Sequence, residues 1–338
     1  MDPTEAKMVR VMGRRQSRIG PLLVAFAVLG SLAAAPAQQF PSRPIRIVVG
    51  SDQSAPSDIV SRIIASELAD SDGWRLVVEN KPGATYTISA AEVLKQPADG
   101  YTLWGLAMPA SAAPALLPSL NFRMEVDFAP VIRFTTSYNV LVVHPSVPAC
   151  SVSELAAHLK RNPDKLTFSS GGFGTPAHLI GEMFKLQTGV RATHVPYPGA
   201  MSRAITDLLN GTNQYQFITT LPVVELITAR KLRGLAVTGP KRVPALKDVP
   251  TMVERGYPNL VVEDWVGFAV KSGTPNDIVE RLNVALNKTL GKEKVRDALA
   301  KMGAEPAGGT TAQFGDLLES QIAHWKKVVK DAGIKIER

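Results

Sequence analysis

Short apolar runs rich in β-branched residues alternate along this chain with segments whose apolar positions recur at helical spacing. Residues 45–49 read as a strand, and Ile59, Ile63, Ile64 and Leu68 then fall on one face of a helix. Residues 76–78 read as the next strand, followed by a loop through Pro82-Gly83, a helix near 89–95 and a strand at 101–106. A second series begins after the apolar run 140–143. It reads as helix 153–161, strand 165–169, helix 177–188, strand 192–196, helix 201–210 and strand 215–219. The run 265–270 resembles 140–143, and helices are predicted at 275–290, 292–302 and 311–332. This strand–loop–helix alternation implies mainly parallel, buried sheets with helices on both faces. Two such series predict two α/β lobes. With 140–143 and 265–270 as crossing strands, the first lobe comprises 38–139 and 255–338 and the second 140–254, with a cleft between them.

The N-terminus changes the picture by fixing a compartment. Arg10, Arg14, Arg15 and Arg18 precede an apolar run at 21–32 and small residues ending in Ala35-Pro36-Ala37. That order is the mark of a secretory signal peptide, predicted at 1–37. The run is about a dozen residues, short of the roughly 20 that cross a bilayer. Without that segment, which holds five basic and two acidic residues, the formal charge falls from +8 to +5. The remaining excess is scattered, as at Lys241-Arg242 and Lys326-Lys327, with no aromatic-interleaved basic stripe, so no nucleic-acid partner is expected. Cys150 is the single cysteine, which excludes an intramolecular disulfide. No cysteine follows the signal at a lipid-attachment position, so the mature protein is expected to be soluble and in the periplasm.

The stretch richest in chemistry is Ser169-Ser170-Gly171-Gly172-Phe173-Gly174-Thr175-Pro176-Ala177-His178, a strand end running through glycines into a helix. Glycine allows a close backbone approach, Pro176 suits a first helical turn, and free first-turn amides attract an anion. A carboxylate site is the natural inference; a structural turn with nothing bound is the alternative. Gly172 to Ala177 also matches G-x-G-x-x-A, but a dinucleotide site wants an acidic residue at the end of the next strand, which instead reads His194-Val195-Pro196-Tyr197. No H-E-x-x-H, G-x-S-x-G or Cys/His cluster is present, so neither metal nor cofactor is expected.

Further segments carry a resemblance over nearly the whole mature chain. They include Pro41-Ser42-Arg43-Pro44-Ile45-Arg46, Val78-Glu79-Asn80-Lys81-Pro82-Gly83-Ala84, Ala98-Asp99-Gly100-Tyr101-Thr102-Leu103 and His194-Val195-Pro196-Tyr197. Leu232-Arg233-Gly234-Leu235-Ala236-Val237-Thr238, Asp248-Val249-Pro250-Thr251 and Gly303-Ala304-Glu305-Pro306 continue it. The chain resembles the Bug family of periplasmic solute-binding proteins, the receptor components of tripartite tricarboxylate transporters. The resemblance implies an α/β, two-lobed periplasmic binding protein, a type II-like Venus flytrap. It implies a small carboxylate held by main-chain groups and waters from one loop per lobe, delivery to membrane permease subunits, a monomer, and no catalysis. An enzyme on the same fold, using a hydroxyl such as Ser170, and a sensor feeding a signalling system remain the alternatives.

The expected second-lobe contacts are Ser169, Gly171, Gly172, Gly174, Thr175 and His178. In the first lobe they are Ser51, Gln53, Ser54, Ser57 and Asp58, with Asp58 also a candidate N-cap for a helix beginning at Ile59. Tyr197 and Thr219 are expected to face the cleft. Three departures from the family pattern stand out. The proline- and glycine-rich first loop is here Gly50-Ser51-Asp52-Gln53-Ser54-Ala55-Pro56-Ser57-Asp58. Ala84-Thr85-Tyr86 replaces further glycines, which gives Tyr86 the option of lining the cleft. Thr219 stands where many members carry an aspartate. The last predicts a mono- or dicarboxylate ligand without an ammonium group, unless Asp52 swings in to supply the missing charge.

Overall fold

The computed structural model describes residues 40–334 except Ser54, Pro118, Leu221 and Ala332, so the segment read as a signal peptide lies outside the described residues. Among the described residues, 43–334 form one compact unit. It opens with β1 (Ile45–Val49), α1 (Pro56–Asp72), β2 (Leu76–Asn80), α2 (Thr87–Leu94) and β3 (Thr102–Ala107). These strands pair in parallel in the order β2-β1-β3. Ile45, Ile47, Val48 and Val49 are almost wholly buried, as strands covered on both faces must be. Helix α1 begins at Pro56, not at Ile59, so Asp58 lies inside its first turn and the cap position falls to Ala55.

Several elements were not legible in the hydrophobic pattern. Helix α3 (Met108–Leu116) follows β3 directly and contains Pro109 and Pro114. It is apolar almost all round, so it lacks the 3.6-residue alternation by which surface helices are recognised. After the short α4 (Met124–Asp127) comes β4 (Phe128–Val143), of which the sequence pattern revealed only the last residues. Its first half is interrupted at Pro130 and Arg133, and the register shifts immediately after each of them. A proline is tolerated at such an irregularity because the ladder is already broken there.

The second series is α5 (Val152–Arg161), β5 (Thr167–Ser170), α6 (Pro176–Thr188), β6 (Thr193–Pro196), α7 (Met201–Leu209), β7 (Tyr215–Thr219), α8 (Val224–Thr228) and β8 (Arg233–Val237). Here β5 pairs in parallel with β6 and β7, while β7 and β8 run antiparallel to the second half of β4. The chain then returns through β9 (Glu263–Lys271), α9 (Asn276–Leu290), α10 (Glu293–Lys301), β10 (Glu305–Pro306) and α11 (Thr311–Asp331). Strand β9 lies antiparallel between β3 and the first half of β4. The two parallel series are therefore joined through one long strand, β4, which belongs to both sheets.

Each half has its own core. Trp104, Trp265 and Trp325 are buried in the first. In the second, Val140, Val142, Ile218, Val237 and Leu208 pack together, each worth about 1.5–3 kcal/mol on full burial. Residue 267 on β9 has to be glycine for packing reasons, since a Cβ there would lie 2.4 Å from the Phe314 ring of α11.

Candidate functional site

A cavity of about 340 Å³ opens where the β1–α1 loop, the turn at 82–86 and the β5–α6 loop converge over the interior of β4 and the ends of β7 and β9. That size suits a small organic molecule. Its second-lobe wall is the glycine loop. Gly172, which lines the cavity, and Gly174, which does not, have φ of +119° and +76°, in the region where side chains are disfavoured. The loop ends at Thr175, whose Oγ1 donates to Gly172 O at 2.7 Å, and α6 starts at Pro176. First-turn amides of a helix have no acceptor within it and carry its positive end, so this wall attracts anionic oxygens.

A column of rings supports the loop from below. Tyr215 stacks on Phe168, Phe168 on His194, and His194 on His178 at 4.5 Å between centroids. His178 Nδ1 accepts the Gly174 N–H at 3.2 Å, fixing the tautomer in which Nδ1 is bare. His194 Nε2 lies 2.7 Å from Ser170 Oγ, which accepts the Gly172 N–H at 3.1 Å. Burial pushes His178 down to about 4 and His194 down to about 3, so both are neutral at physiological pH. Ser170, His178 and His194 hold the loop in place without lining the cavity. Ser169 is also buried behind it, with Oγ donating to Gln216 Oε1 at 3.1 Å.

The first-lobe wall is built on a chain of hydroxyls. Ser51 Oγ lies 2.7 Å from Ser57 Oγ, which lies 2.7 Å from the Tyr86 hydroxyl. Tyr86 packs flat on residue 50, where a Cβ would lie 2.1 Å from its ring. Ala84, Thr85 and Tyr86 all have positive φ, at 43°, 54° and 70°, so the conformation suited to glycine persists here with ordinary side chains. Asp52 also lines the cavity, and its Oδ2 accepts the Met201 N–H at the start of α7 at 3.0 Å.

Of the residues singled out from sequence, Ser51, Gly171, Gly172, Thr175 and Thr219 line the cavity, as does Tyr86. Gly174 forms the back of the loop, with Thr85 and Leu116 against it. Ser57 is buried inside the hydroxyl chain. Asp58 is withdrawn from the cavity, clamped by Arg62 through Nε and Nη2 at 2.9–3.0 Å and by Asn80 Nδ2 at 2.9 Å. Gln53 is exposed in a shallow surface depression beside Asp58 and Arg62. Tyr197 turns away to donate to Asp207 Oδ2 at 2.7 Å. Ser54 lies outside the described residues.

Of the cavity floor, sequence reasoning found Thr219 and missed Asn139 and Asp264. Asn139 pairs directly across from Thr219 of β7, and Ser137, two residues earlier on β4, pairs with Asp264 of β9. Directly opposed residues share a face, as do residues two apart on one strand, so Asp264, Asn139 and Thr219 form a row across β9, β4 and β7. All three line the cavity and are buried. Asp264 accepts the Trp265 N–H at 2.9 Å, and burial, reinforced by Glu263, pushes it up to about 7. Neither amide atom of Asn139 has a hydrogen-bond partner. The available sequence signal was an acidic residue at the head of an otherwise apolar run, Asp264-Trp265-Val266.

Residues 60–334 match the model of the tripartite tricarboxylate transporter family receptor. Among curated proteins the chain is 33% identical to the protein BugT of Bordetella pertussis over 316 residues, 92% of this chain and 96% of that one. Among solved structures, that of Rhodopseudomonas palustris Rpa4515 with adipate superposes with a TM-score of 0.83 at 34% identity, covering 88% of this chain and 99% of that one. MatC from the same organism, with bound malate, gives 0.81 at 30% identity, covering 86% and 100%. The fold is thus the two-lobed α/β fold of periplasmic binding proteins of this type.

Proposed function

The chain belongs to the tripartite tricarboxylate transporter receptor family, and from that premise we propose that it is a periplasmic receptor that captures a small organic acid and delivers it to the membrane permease subunits of such a transporter. On this reading residues 1–37 are the export signal, 38–139 with 255–338 form one lobe, 140–254 the other, and the receptor acts as a monomer without catalysis. The observation that carries the proposal is the glycine loop at 171–175, which turns bare main chain and the positive end of α6 toward a cavity of about 340 Å³. Such a wall binds a carboxylate by amides and water, with no proton transfer required. Adipate and malate in the two solved relatives are of a size that this cavity accepts.

The test is mass spectrometry of small molecules released from protein purified without denaturation, followed by a thermal-shift screen of mono- and dicarboxylic acids. A ligand that binds only the native state stabilises it by about 2.7 kcal/mol at 100 times Kd. Failure of every carboxylic acid to co-purify or to raise the melting temperature would reject the proposal.

A further inference from the structure

We infer that Asp264 and Asn139 form a second subsite in the cavity, which receives an ammonium group of the ligand, so that the preferred ligand is an amino acid or related aminocarboxylate. The inference rests on the reading of the glycine loop as the carboxylate-holding wall.

Three observations converge on it. First, the two carboxyl groups on the cavity wall, Asp52 and Asp264, are accompanied there by no lysine, arginine or histidine among the described residues. A dicarboxylate would bring a second negative charge into this wall with no cation to meet it, and like charges in a low-dielectric cavity repel strongly. An ammonium group reverses the sign of that interaction.

Second, Asp264 is 4% exposed and, among the described residues, the one hydrogen bond to its carboxyl is from the adjoining Trp265 N–H, which leaves the rest of its acceptor capacity unfilled. A buried carboxyl without a cationic partner is costly to ionise. Third, Asn139 is fully buried with both its amide oxygen and nitrogen unpartnered, an arrangement native interiors rarely leave unused. Its Oδ1 is a second acceptor for an N–H donor. Its Nδ2 is an unpartnered donor on the same wall.

The register supplies the geometry. Asn139 and Asp264 are diagonal neighbours on one face of the β4–β9 pair, a relationship that separates them by about 7–8 Å and leaves space for a small polar group between their ends. Thr219, opposite Asn139 on β7, adds a hydroxyl on the far side. The titratable groups around Asp264 are Glu263 on its own strand, engaged by Arg133 of β4 at 2.6 Å, together with the Tyr86 phenol and Asp52. The rise of Asp264 to about 7 on burial is consistent with a carboxyl awaiting a cation.

The test is calorimetric titration of matched pairs that differ in the ammonium group: aspartate against succinate, glutamate against glutarate, and 4-aminobutyrate against butyrate. At least one ammonium-bearing member should bind ten or more times tighter than its counterpart, with the preference growing from pH 6 to pH 8 as Asp264 ionises. In Asp264→Asn the preference should collapse while the deaminated acids still bind. Asn139→Ala, with folding checked by circular dichroism, serves as the second variant and should weaken the same preference. Equal or tighter binding of the deaminated acid in every pair, a preference unchanged in Asp264→Asn, or a preference that falls as pH rises would overturn the inference and leave the carboxylate reading intact. Binding of no member of any pair would overturn both.

Discussion

The Asp52 carboxylate accepts the Met201 N–H at 3.0 Å, so a loop of the first lobe caps a helix of the second. The local cap position of α7, Ala200, has no side chain able to do this. Asp52 is therefore occupied as an interlobe latch, and it is Asp264 that presents a carboxyl group on the floor of the cavity. Replacing a helix-capping oxygen costs about 1 kcal/mol, which is roughly a fivefold change in a two-state population. Asp52→Ala is expected to shift the ligand-free protein toward an open form, seen as a larger radius of gyration in small-angle X-ray scattering. An unchanged radius would show that the latch contributes nothing to closure.

Gly174→Val should abolish ligand capture while leaving each lobe folded. A Cβ at residue 174 would lie 2.8 Å from Leu116 Cδ1 and 2.9 Å from Thr85 Oγ1, both in the other lobe, and φ there is +76°. Binding is expected to fall at least tenfold, about 1.4 kcal/mol or more. Calorimetry with the natural ligand checks the affinity, and circular dichroism checks the fold. Parent-like affinity would place the closure contact elsewhere.

Acid should destabilise the protein through its two stacked histidines. Unfolded histidine gains its proton near pH 6.5, whereas His178 and His194 in the fold gain it only near about 4 and about 3. Their contribution is complete above pH 6.5 and is lost as pH falls through that window. Asp264 acts in the opposite sense: its folded value of about 7 lies above the ordinary carboxylate range, so its contribution is present at low pH and is lost as pH rises toward 7. Urea unfolding from pH 4 to 6.5 should give a steeper rise of stability with pH in Asp264→Asn than in the parent, and a shallower one in His194→Gln. Three identical slopes would refute this assignment.

The run of left-handed residues at Ala84, Thr85 and Tyr86 should be relieved by restoring glycine. A β-branched side chain is least suited to this conformation, which costs roughly 1–2 kcal/mol for an L-residue. Thr85 makes only a 3.4 Å bond to Phe173 O in return. After allowance for the extra freedom of glycine in the unfolded chain, Thr85→Gly should gain up to about 1 kcal/mol, or about 2–4 °C in melting temperature. A lower melting temperature would mean that the Thr85 contacts outweigh the strain.

What the sequence made legible was whatever a local stretch encodes by itself. The parallel strands stood out because β-branched runs such as Ile45-Arg46-Ile47-Val48-Val49 are buried on both faces. The glycine loop stood out because its backbone chemistry is written in consecutive residues. Asp58 was misjudged because Pro56, two residues earlier, takes over the start of α1, and an arginine one turn on then claims its carboxylate. Thr219 was read as facing the cleft, but Asp264 and Asn139, which complete its row, could not be read at all. The row exists only through the registers of β4 with β9 and β7, which bring together residues from three distant parts of the chain.

The shared strand β4 also dictates an order of assembly. Its first half cannot be flanked by β9 until the chain has been made through residue 271, after the entire second sheet has emerged. Pairings so distant in sequence are slow to form, because a long loop must close before they give any return. Without β9 the first sheet keeps β3 as an open edge, whereas the strands that pair with the second half of β4, β7 and β8, both precede β9 in the chain. Strand β9 is thus the piece that closes the first sheet, since until it pairs neither β3 nor the first half of β4 has its neighbour on that side.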